Sequence, residues 1–351
     1  RSTLFPYTTL FRSPYRVIPR VGSVGASGDL APLAHLTLAL IGEGEARRGE
    51  STLSGADVMR AAGVEPIALT AKEGLALLNG TQLSATLAAE ACLRSDTLLR
   101  SAIVAGALSV EALAGSYAPF DERIHAARGQ PGQIEVARRL RTLLTDSAIK
   151  RSHADCDRVQ DPYAVRCMPQ VMGAAWDTLA HARRIVEIEC NAATDNPLVL
   201  GDDILSGGNF HAAPLGHVCD YLAIGLADCA SMSERRTDLL VRRVNPHLSM
   251  FLAGEPGLES GFMIAHVTAA ALTSANKTLA HPASVDTVPT SAGQEDHVSM
   301  APWAGEKLLM IGGNTATVLA IELLAAAHAI DAVSPLRPPR SCRPSMPQSA
   351  R

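Results

Sequence analysis

The sequence predicts a mostly α protein, built as an extended bundle of long helices. Apolar residues recur at helical spacing over long stretches, and strand-like alternation bounded by turns is nearly absent. Aromatic residues make up only 4% of the chain, while alanine, leucine and valine abound. Helices with small side chains can approach one another closely, which suits a bundle. Alanine-rich faces can also pair between subunits, so we expect a homo-oligomer.

Five stretches carry the helical period, and some exceed 25 residues, or about 40 Å of helix. They are residues 75–113, 171–188, 212–241, 261–279 and 307–327. Polar segments between them are predicted to be loops, namely residues 146–161, 194–210 and 281–298. Loops on a rigid helical frame are where binding groups usually lie.

Composition and charge exclude several classes of partner. With 351 residues, 47% of them hydrophobic, the chain can bury a substantial core. The net charge of −4 leaves no electrostatic footprint for nucleic acid. We expect no apolar stretch of the roughly 20 residues that a membrane helix needs. The seven cysteines show no C-x-x-C spacing, which indicates reduced thiols in a cytoplasmic protein. The sequence contains no H-E-x-x-H motif, so we expect no bound metal.

The most informative segment is residues 22–33, where Ala26, Ser27 and Gly28 lie between a glycine loop and an apolar helix. Gly28 has no side chain to keep its amide nitrogen from the carbonyl carbon of Ala26. Attack there with loss of water closes a five-membered ring. Loss of the Ser27 hydroxyl as a second water leaves an exocyclic methylidene, a strong electrophile. Asp29 is expected to cap the next helix, whose dipole would stabilise negative charge beside the ring.

Two plainer interpretations of this segment stay open from the loop alone. It could be an ordinary helix start after a turn, or a glycine loop that cradles phosphate. It lacks the Gly-Lys-Ser/Thr ending of a P-loop, and its glycines do not match the dinucleotide fingerprint.

Six motifs in order resemble those of the aromatic amino acid ammonia-lyases. They are residues 21–33, 78–82, 160–166, 189–198, 208–211 and 284–300. The likeness covers almost everything from Pro14 to the low 330s. Within that family, Gln294-Glu295-Asp296-His297 is similar to the branch that acts on histidine. The resemblance implies the ammonia-lyase (fumarase/aspartase-like) architecture of long helices.

The resemblance also implies an activity and a cofactor. It implies a carbon–nitrogen lyase of histidine catabolism that eliminates ammonia from L-histidine to give trans-urocanate. The implied cofactor is 4-methylidene-imidazol-5-one (MIO), formed autocatalytically from Ala26-Ser27-Gly28 with no external cofactor. The implied assembly is a cytoplasmic homotetramer in which neighbouring subunits complete each site.

The implied site residues fall into two groups. The catalytic ones are Ala26, Ser27, Gly28, Tyr163 and Glu295, and the substrate-binding ones are Asn79, Gln160, Arg166, Phe210 and Gln294. The planar fork of Arg166 suits a carboxylate, with a surface salt bridge as the plainer alternative. Tyr163, three residues earlier, would face the same side of a helical turn and could donate or move a proton; alternatively, it is a buried core tyrosine. Gln160 would lie one further turn back.

Glu295 argues most for histidine as the substrate. A carboxylate near an imidazole would pair with its N–H and favour a charged ring, which acidifies the neighbouring β-proton. A phenyl substrate offers that carboxylate nothing, and burying it unpaired is costly. Gln294 could add a neutral hydrogen bond. The plainer alternative is a solvated acidic pair with Asp296.

Asn79 and Phe210 also have two interpretations each. Asn79 precedes Gly80, so its amide could cap a turn or contact the ring or the substrate carboxylate. Phe210 resembles the aromatic residue packed against the ring, although a lone phenylalanine is more often core.

The expected domain organisation is one helical lyase domain over residues 14–333, lacking its N-terminal part. Residues 1–13 resemble translated adapter DNA and are predicted to be non-native, while the Pro-, Arg- and Ser-rich residues 334–351 are predicted to be disordered or frameshifted. In the family an upstream tyrosine acts as base and an upstream histidine lines the site. Residues 1–20 match neither, so we expect little or no turnover from this chain.

The alternatives for the whole protein are of two kinds. One is a tyrosine or phenylalanine ammonia-lyase, or an aminomutase, on the same scaffold. The other is a catalytically inactive helical scaffold, which would have no reason to form the ring.

Overall fold

Long helices dominate the structure, a computed structural model that describes residues 15–16, 18–48, 50–152 and 159–333. The helices are α1 Leu30–Leu40, α2 Gly55–Ala62, α3 Glu73–Ala76, α4 Gln82–Ala112, α5 Glu122–Arg128, α6 Pro131–Leu143, α7 Ala148–Ser152, α8 Tyr163–Arg166, α9 Met168–Cys190, α10 Ala213–Val241, α11 Met263–Leu279 and α12 Ala301–Ala332. The strands are β1 Tyr15–Arg16, β2 Glu45–Arg48, β3 Ser51–Ser54, β4 Leu198–Leu200 and β5 Asp203–Leu205. The prediction of a mostly α fold is confirmed.

Several predicted boundaries differ from the observed ones. The helix predicted over residues 75–113 begins only at Gln82, because Asn79 and Gly80 turn the chain after α3. The last helix is longer at both ends than the predicted 307–327. The segment 194–210, predicted as loop, contains the β4–β5 hairpin, and residues 146–161 contain α7. The predicted segments 1–13 and 334–351 lie outside the described residues.

The chain divides into two compact units. Of the described residues, unit 1 comprises those within 15–89, 184–219 and 282–306, and unit 2 comprises those within 90–183, 220–281 and 307–333. The expected organisation as one domain over residues 14–333 remains a prediction.

Unit 1 contains both small sheets. Strands β1, β2 and β3 form an antiparallel sheet in that order, with Glu45 opposite Ser54, and β4 pairs with β5 with Leu198 opposite Leu205. A small apolar core is built from Leu40, Ala46, Val58, Met59 and Val64. This core packs α1 and α2 against strand β2.

Unit 2 buries an ion pair among its helices. Arg236 on α10 and Glu322 on α12 are both fully buried, and the guanidinium makes two bonds to the carboxylate, at 2.5 and 2.8 Å. The hydroxyls of Ser109 and Ser233 donate to the same carboxylate. The buried charges are therefore paired and hydrogen-bonded, as burial requires.

Helix α12 corrects one expectation from the sequence. By length and composition alone it could cross a membrane, with a mean hydropathy of 1.7 over its most apolar window. The expectation that no stretch is long and apolar enough is therefore wrong. Within unit 2, however, this helix buries Glu322 against Arg236 and Lys307 at 3.4 Å from Asp220. Buried core helices pass the same composition test.

Candidate active site

The loop of residues 22–29 folds back sharply at its centre. Ala26 and Gly28 pair across Ser27 as an isolated antiparallel bridge. Gly28 has φ +73°, in the left-handed region that favours glycine, and a Cβ there would overlap the backbone of Gly80. The reversal expected from the sequence is therefore present, and only glycine fits at position 28.

Two residues that are distant in sequence, Ser299 and Met300, hold this loop through hydrogen bonds. The Met300 amide donates to the Val24 carbonyl at 2.9 Å, and the Ser299 hydroxyl donates to the Gly25 carbonyl at 3.2 Å. Gly25 has φ +68°, and a Cβ there would overlap the Ser299 hydroxyl. These contacts fix the start of the reversal, and sequence reasoning missed both anchors.

Asp29 does not cap the helix that follows it. It occupies the N-cap position of α1, but its side chain makes no capping bond there. Its buried carboxylate instead accepts the Ser84 amide at 2.8 Å and the Ser84 hydroxyl at 3.1 Å, and Ser23 donates to it at 3.3 Å. Desolvation raises the pKa of Asp29, although these hydrogen bonds oppose the rise. The carboxylate therefore satisfies a free amide in the first turn of α4.

The structure brings Ser27 and Asn79 together. The Ser27 hydroxyl donates to the Asn79 side-chain oxygen at 3.3 Å, and the Asn79 amide nitrogen donates to the Asn196 carbonyl at 2.8 Å. Asn79 is buried, and its backbone amide also donates to Leu75, which closes the turn before Gly80. The backbone of Asn79 therefore makes the turn while its side chain meets Ser27, and contact of that side chain with a ring or a substrate carboxylate remains a prediction.

Glu295 presents an ionised carboxylate from a tight turn in unit 1. It pairs with Thr290 in an isolated bridge, and the hydroxyls of Ser291 and Thr290 donate to its carboxylate at 2.5 and 2.7 Å. These hydrogen bonds, the one from Ser291 first, lower the pKa of Glu295. The side chain is half-buried, while neighbouring Gln294 is exposed. A carboxylate held this way can accept a further N–H from a ligand.

Phe210 lies beside a histidine pair that sequence reasoning missed. Phe210 is half-buried. The rings of His211 and His297 stack with centroids 6.0 Å apart and planes within 1°, and His211 Nε2 donates to the His297 carbonyl at 3.2 Å. The sequence did offer a signal for this pair, because His211 ends the motif of residues 208–211 and His297 ends Gln294-Glu295-Asp296-His297.

Tyr163 and Arg166 lie in unit 2 on the single turn of α8. Tyr163 is 73% exposed, which excludes the alternative of a buried core tyrosine. Arg166 and Gln160 line a cavity of about 1120 Å³. Gln160 is not one helical turn back from Tyr163 as expected, because Pro162 disfavours helix before it and α8 begins only at Tyr163.

Among the residues that the structure describes, no group of three or more histidine, cysteine, aspartate or glutamate side chains could hold a metal ion.

The chain is similar in sequence and in fold to known proteins. The chain is 56% identical to the histidine ammonia-lyase of Aromatoleum aromaticum over 326 residues, which are 92% of this chain and 62% of that one. Two solved structures are similar in fold. Histidine ammonia-lyase from Trypanosoma cruzi matches with a TM-score of 0.87 and 43% identity, over 96% of this chain and 64% of that one. Tyrosine aminomutase from Streptomyces globisporus matches with a TM-score of 0.85 and 35% identity, over 92% and 65%.

The long helices and the loop they carry define a protein with the ammonia-lyase fold. A family profile described as aromatic amino acid lyase matches residues 10–348. The chain belongs to the aromatic amino acid lyase family. It spans less than two thirds of the length of the three relatives named above.

Proposed function

We propose that this chain carries the electrophile-forming part of a histidine ammonia-lyase, which eliminates ammonia from L-histidine to give trans-urocanate. The proposal rests mainly on the reversal of the chain from Ala26 to Gly28, in which the Ser27 hydroxyl is hydrogen-bonded to Asn79. The relatives described as histidine ammonia-lyases support the choice of reaction.

The three loop residues fit formation of the MIO ring. The bridge between Ala26 and Gly28 holds the two reacting residues across Ser27, and a glycine is required at position 28. In ring closure the Gly28 nitrogen bonds to the Ala26 carbonyl carbon, and the Ala26 oxygen leaves as water with the amide hydrogens of Gly28 and Ser27. The Ser27 hydroxyl then leaves with the Ser27 Cα hydrogen as a second water. No oxidant or external group is needed.

Once formed, the ring supplies an electrophile that bonds covalently to the substrate and makes a poor amine leave more easily. The chain's own residues bind and orient that substrate. We assign the substrate imidazole to the ionised carboxylate of Glu295, assisted by Gln294. Asn79 orients the ring.

The remaining proposed roles belong to Arg166, Gln160, Tyr163 and Phe210. Arg166 binds the substrate carboxylate through its planar fork, and Gln160 extends that polar surface. The exposed phenol of Tyr163 donates or moves a proton. Phe210 packs against the ring.

Peptide mass tests the ring directly. The chain is purified and digested, and the mass of the peptide spanning residues 21–47 is measured. We expect a peptide lighter by two waters. A folded, helical chain that keeps the full mass of this peptide would contradict the proposal and favour an inactive scaffold.

Ligand selectivity tests the substrate. Binding of L-histidine and L-phenylalanine is compared by calorimetry for the unsubstituted chain and for Glu295→Gln. Because a hydrogen bond to a charged group contributes about 1.5–3 kcal/mol, the variant should lose roughly tenfold or more in histidine binding. The control Glu45→Gln changes an exposed carboxylate of β2 and should leave both affinities unchanged. Equal loss for both ligands would instead favour a tyrosine or phenylalanine lyase, or an aminomutase.

The assembly is proposed to be a cytoplasmic homotetramer with shared sites. Helices of unit 2 expose large apolar side chains that a partner subunit would cover, including Leu93, Tyr221, Ile264 and Leu324. Cys92, Cys167, Cys190 and Cys229 are free thiols, which suits a reducing compartment. Light scattering on the purified chain measures the assembly.

A further inference from the structure

Two segments of unit 1 are fastened to each other at three points. The Lys72 ammonium lies 2.6 Å from the Asp195 carboxylate. The Asn79 side chain donates to the Asn196 carbonyl at 2.8 Å. The Thr81 amide donates to the hydroxyl of Thr194 at 3.3 Å. The segment 72–81 therefore clamps residues 194–196, with Lys72 at one end and Asn79 near the other.

The backbone of Lys72 is unusual for a lysine. Its φ of +73° and ψ of −27° lie in the left-handed region, which disfavours residues that have a Cβ. Glycine would adopt this conformation without strain. A lysine at such a position indicates that its side chain is used, and the side chain reaches Asp195.

A continuous path of hydrogen bonds leads from Lys72 to the reactive serine. The second oxygen of the Asp195 carboxylate accepts the backbone amide of Asn196 at 2.7 Å. The Asn196 carbonyl accepts the amide nitrogen of Asn79, whose oxygen then faces the hydroxyl of Ser27.

These hydrogen bonds fix the orientation of the Asn79 side-chain amide. Because its nitrogen is taken by the Asn196 carbonyl, only its oxygen can accept from Ser27. The Asn196 peptide is held in turn by Asp195, and Asp195 by Lys72. Losing the ammonium would free the carboxylate and loosen the peptide that orients Asn79.

We propose that Lys72 is a positioning residue for ring formation, acting through Asp195 and Asn196 on Asn79 and Ser27. This inference rests on the proposed function, because it requires that Ser27 form the ring. Lys72 itself touches none of the reacting atoms.

The decisive variant is Lys72→Gly, which suits the backbone better and removes only the side chain. The chain is made by cell-free synthesis, and the fraction of peptide 21–47 lacking two waters is followed over time by mass spectrometry. We expect ring formation to be about tenfold slower in Lys72→Gly. Lys72→Arg keeps a cation able to reach the carboxylate and should restore most of the rate.

Two further variants separate positioning from folding. Asp195→Asn leaves residue 72 unchanged and should slow ring formation as much as Lys72→Gly does. If Lys72→Gly loses its helical circular dichroism, the rate of Asp195→Asn tests the role of the ion pair in its place. Arg60→Met breaks an exposed ion pair with Asp57 in the same unit and should leave the rate unchanged.

The outcomes distinguish failure of the role of Lys72 from failure of the proposed function. A normal rate in Lys72→Gly overturns the role of Lys72 while the proposed function stands. An unmodified peptide in the unsubstituted chain overturns both.

Discussion

The Ser27 hydroxyl donates a hydrogen bond to the Asn79 side-chain oxygen across 52 residues of sequence. The same side chain donates from its nitrogen to the Asn196 carbonyl, so one buried amide joins the reversal of residues 26–28 to the segment before β4. An amide used at both ends has no freedom to rotate. Asn79 is therefore the residue through which the frame of unit 1 sets the direction of the Ser27 hydroxyl.

Replacing this amide should destabilise the fold. Asn79→Ala removes a buried amide and leaves the half-buried Asn196 carbonyl without its donor, which costs about 1–3 kcal/mol of unfolding free energy. Urea denaturation followed by circular dichroism measures the loss. The matched control is Asn191→Ala, whose amide donates to the Glu187 carbonyl from an exposed position and should cost less than about 0.5 kcal/mol. Equal losses would show that the Asn79 bond adds nothing beyond a surface amide.

Replacing Gly28 with alanine should destabilise the fold by more than the strain of its left-handed backbone conformation alone. Gly63 has a similar φ of +65° with open space around it, so Gly63→Ala measures the strain of a left-handed alanine, roughly 1–2 kcal/mol. Gly28→Ala adds overlap with Gly80 and should lose more stability in the same thermal melts. The Gly28 variant should also keep the full mass of peptide 21–47. Similar melting temperatures for the two variants would contradict the close approach to Gly80.

Breaking the buried ion pair of unit 2 should be strongly destabilising. Glu322→Ala leaves the Arg236 guanidinium buried and unpaired, which costs about 3–5 kcal/mol. The control Glu90→Ala breaks an exposed pair with Arg94 and should change stability by less than about 1 kcal/mol. Urea melts of both variants give the comparison, and the double variant Arg236→Met/Glu322→Leu should regain most of the loss. A small effect of Glu322→Ala would mean that water reaches this site.

Glu111 should make stability fall as the pH rises. Burial raises its pKa from 4.5 to about 7, while the Ser147 hydroxyl and Lys150 oppose the shift. The folded chain therefore holds a proton that the unfolded chain releases, so this contribution is complete below pH 4.5 and is lost towards pH 7. At about 1.4 kcal/mol for each unit of pKa shift, the loss reaches a few kcal/mol.

The variant Glu111→Gln removes this titration and should flatten that part of the curve. Relative to the unsubstituted chain, it should be more stable at pH 8 than at pH 4.5. Urea denaturation across this range measures both curves. The same slope in both chains would assign the pH dependence to other groups.

The sequence alone determined the helical architecture and the sharp reversal of residues 26–28. Period and small side chains are local properties, so the predicted stretches 171–188, 212–241 and 261–279 lie within three residues of the bounds of α9, α10 and α11. Asn79 and Gly80 interrupt the predicted stretch 75–113, and α12 extends the predicted 307–327 by six residues at its start and five at its end. The reversal was recognisable because a close backbone approach at residues 26–28 needs a glycine, and Gly28 is visible in the sequence.

Only the tertiary structure decided which partners the polar side chains take. Asp29 was expected to cap its own helix, yet its carboxylate meets Ser84, 55 residues away. Ser299 holds Gly25 across 274 residues, and Lys72 reaches Asp195 across 123. A polar side chain bonds to whatever donor or acceptor the fold places within about 3 Å, and that distance depends on the packing of whole helices. No local pattern contains that information.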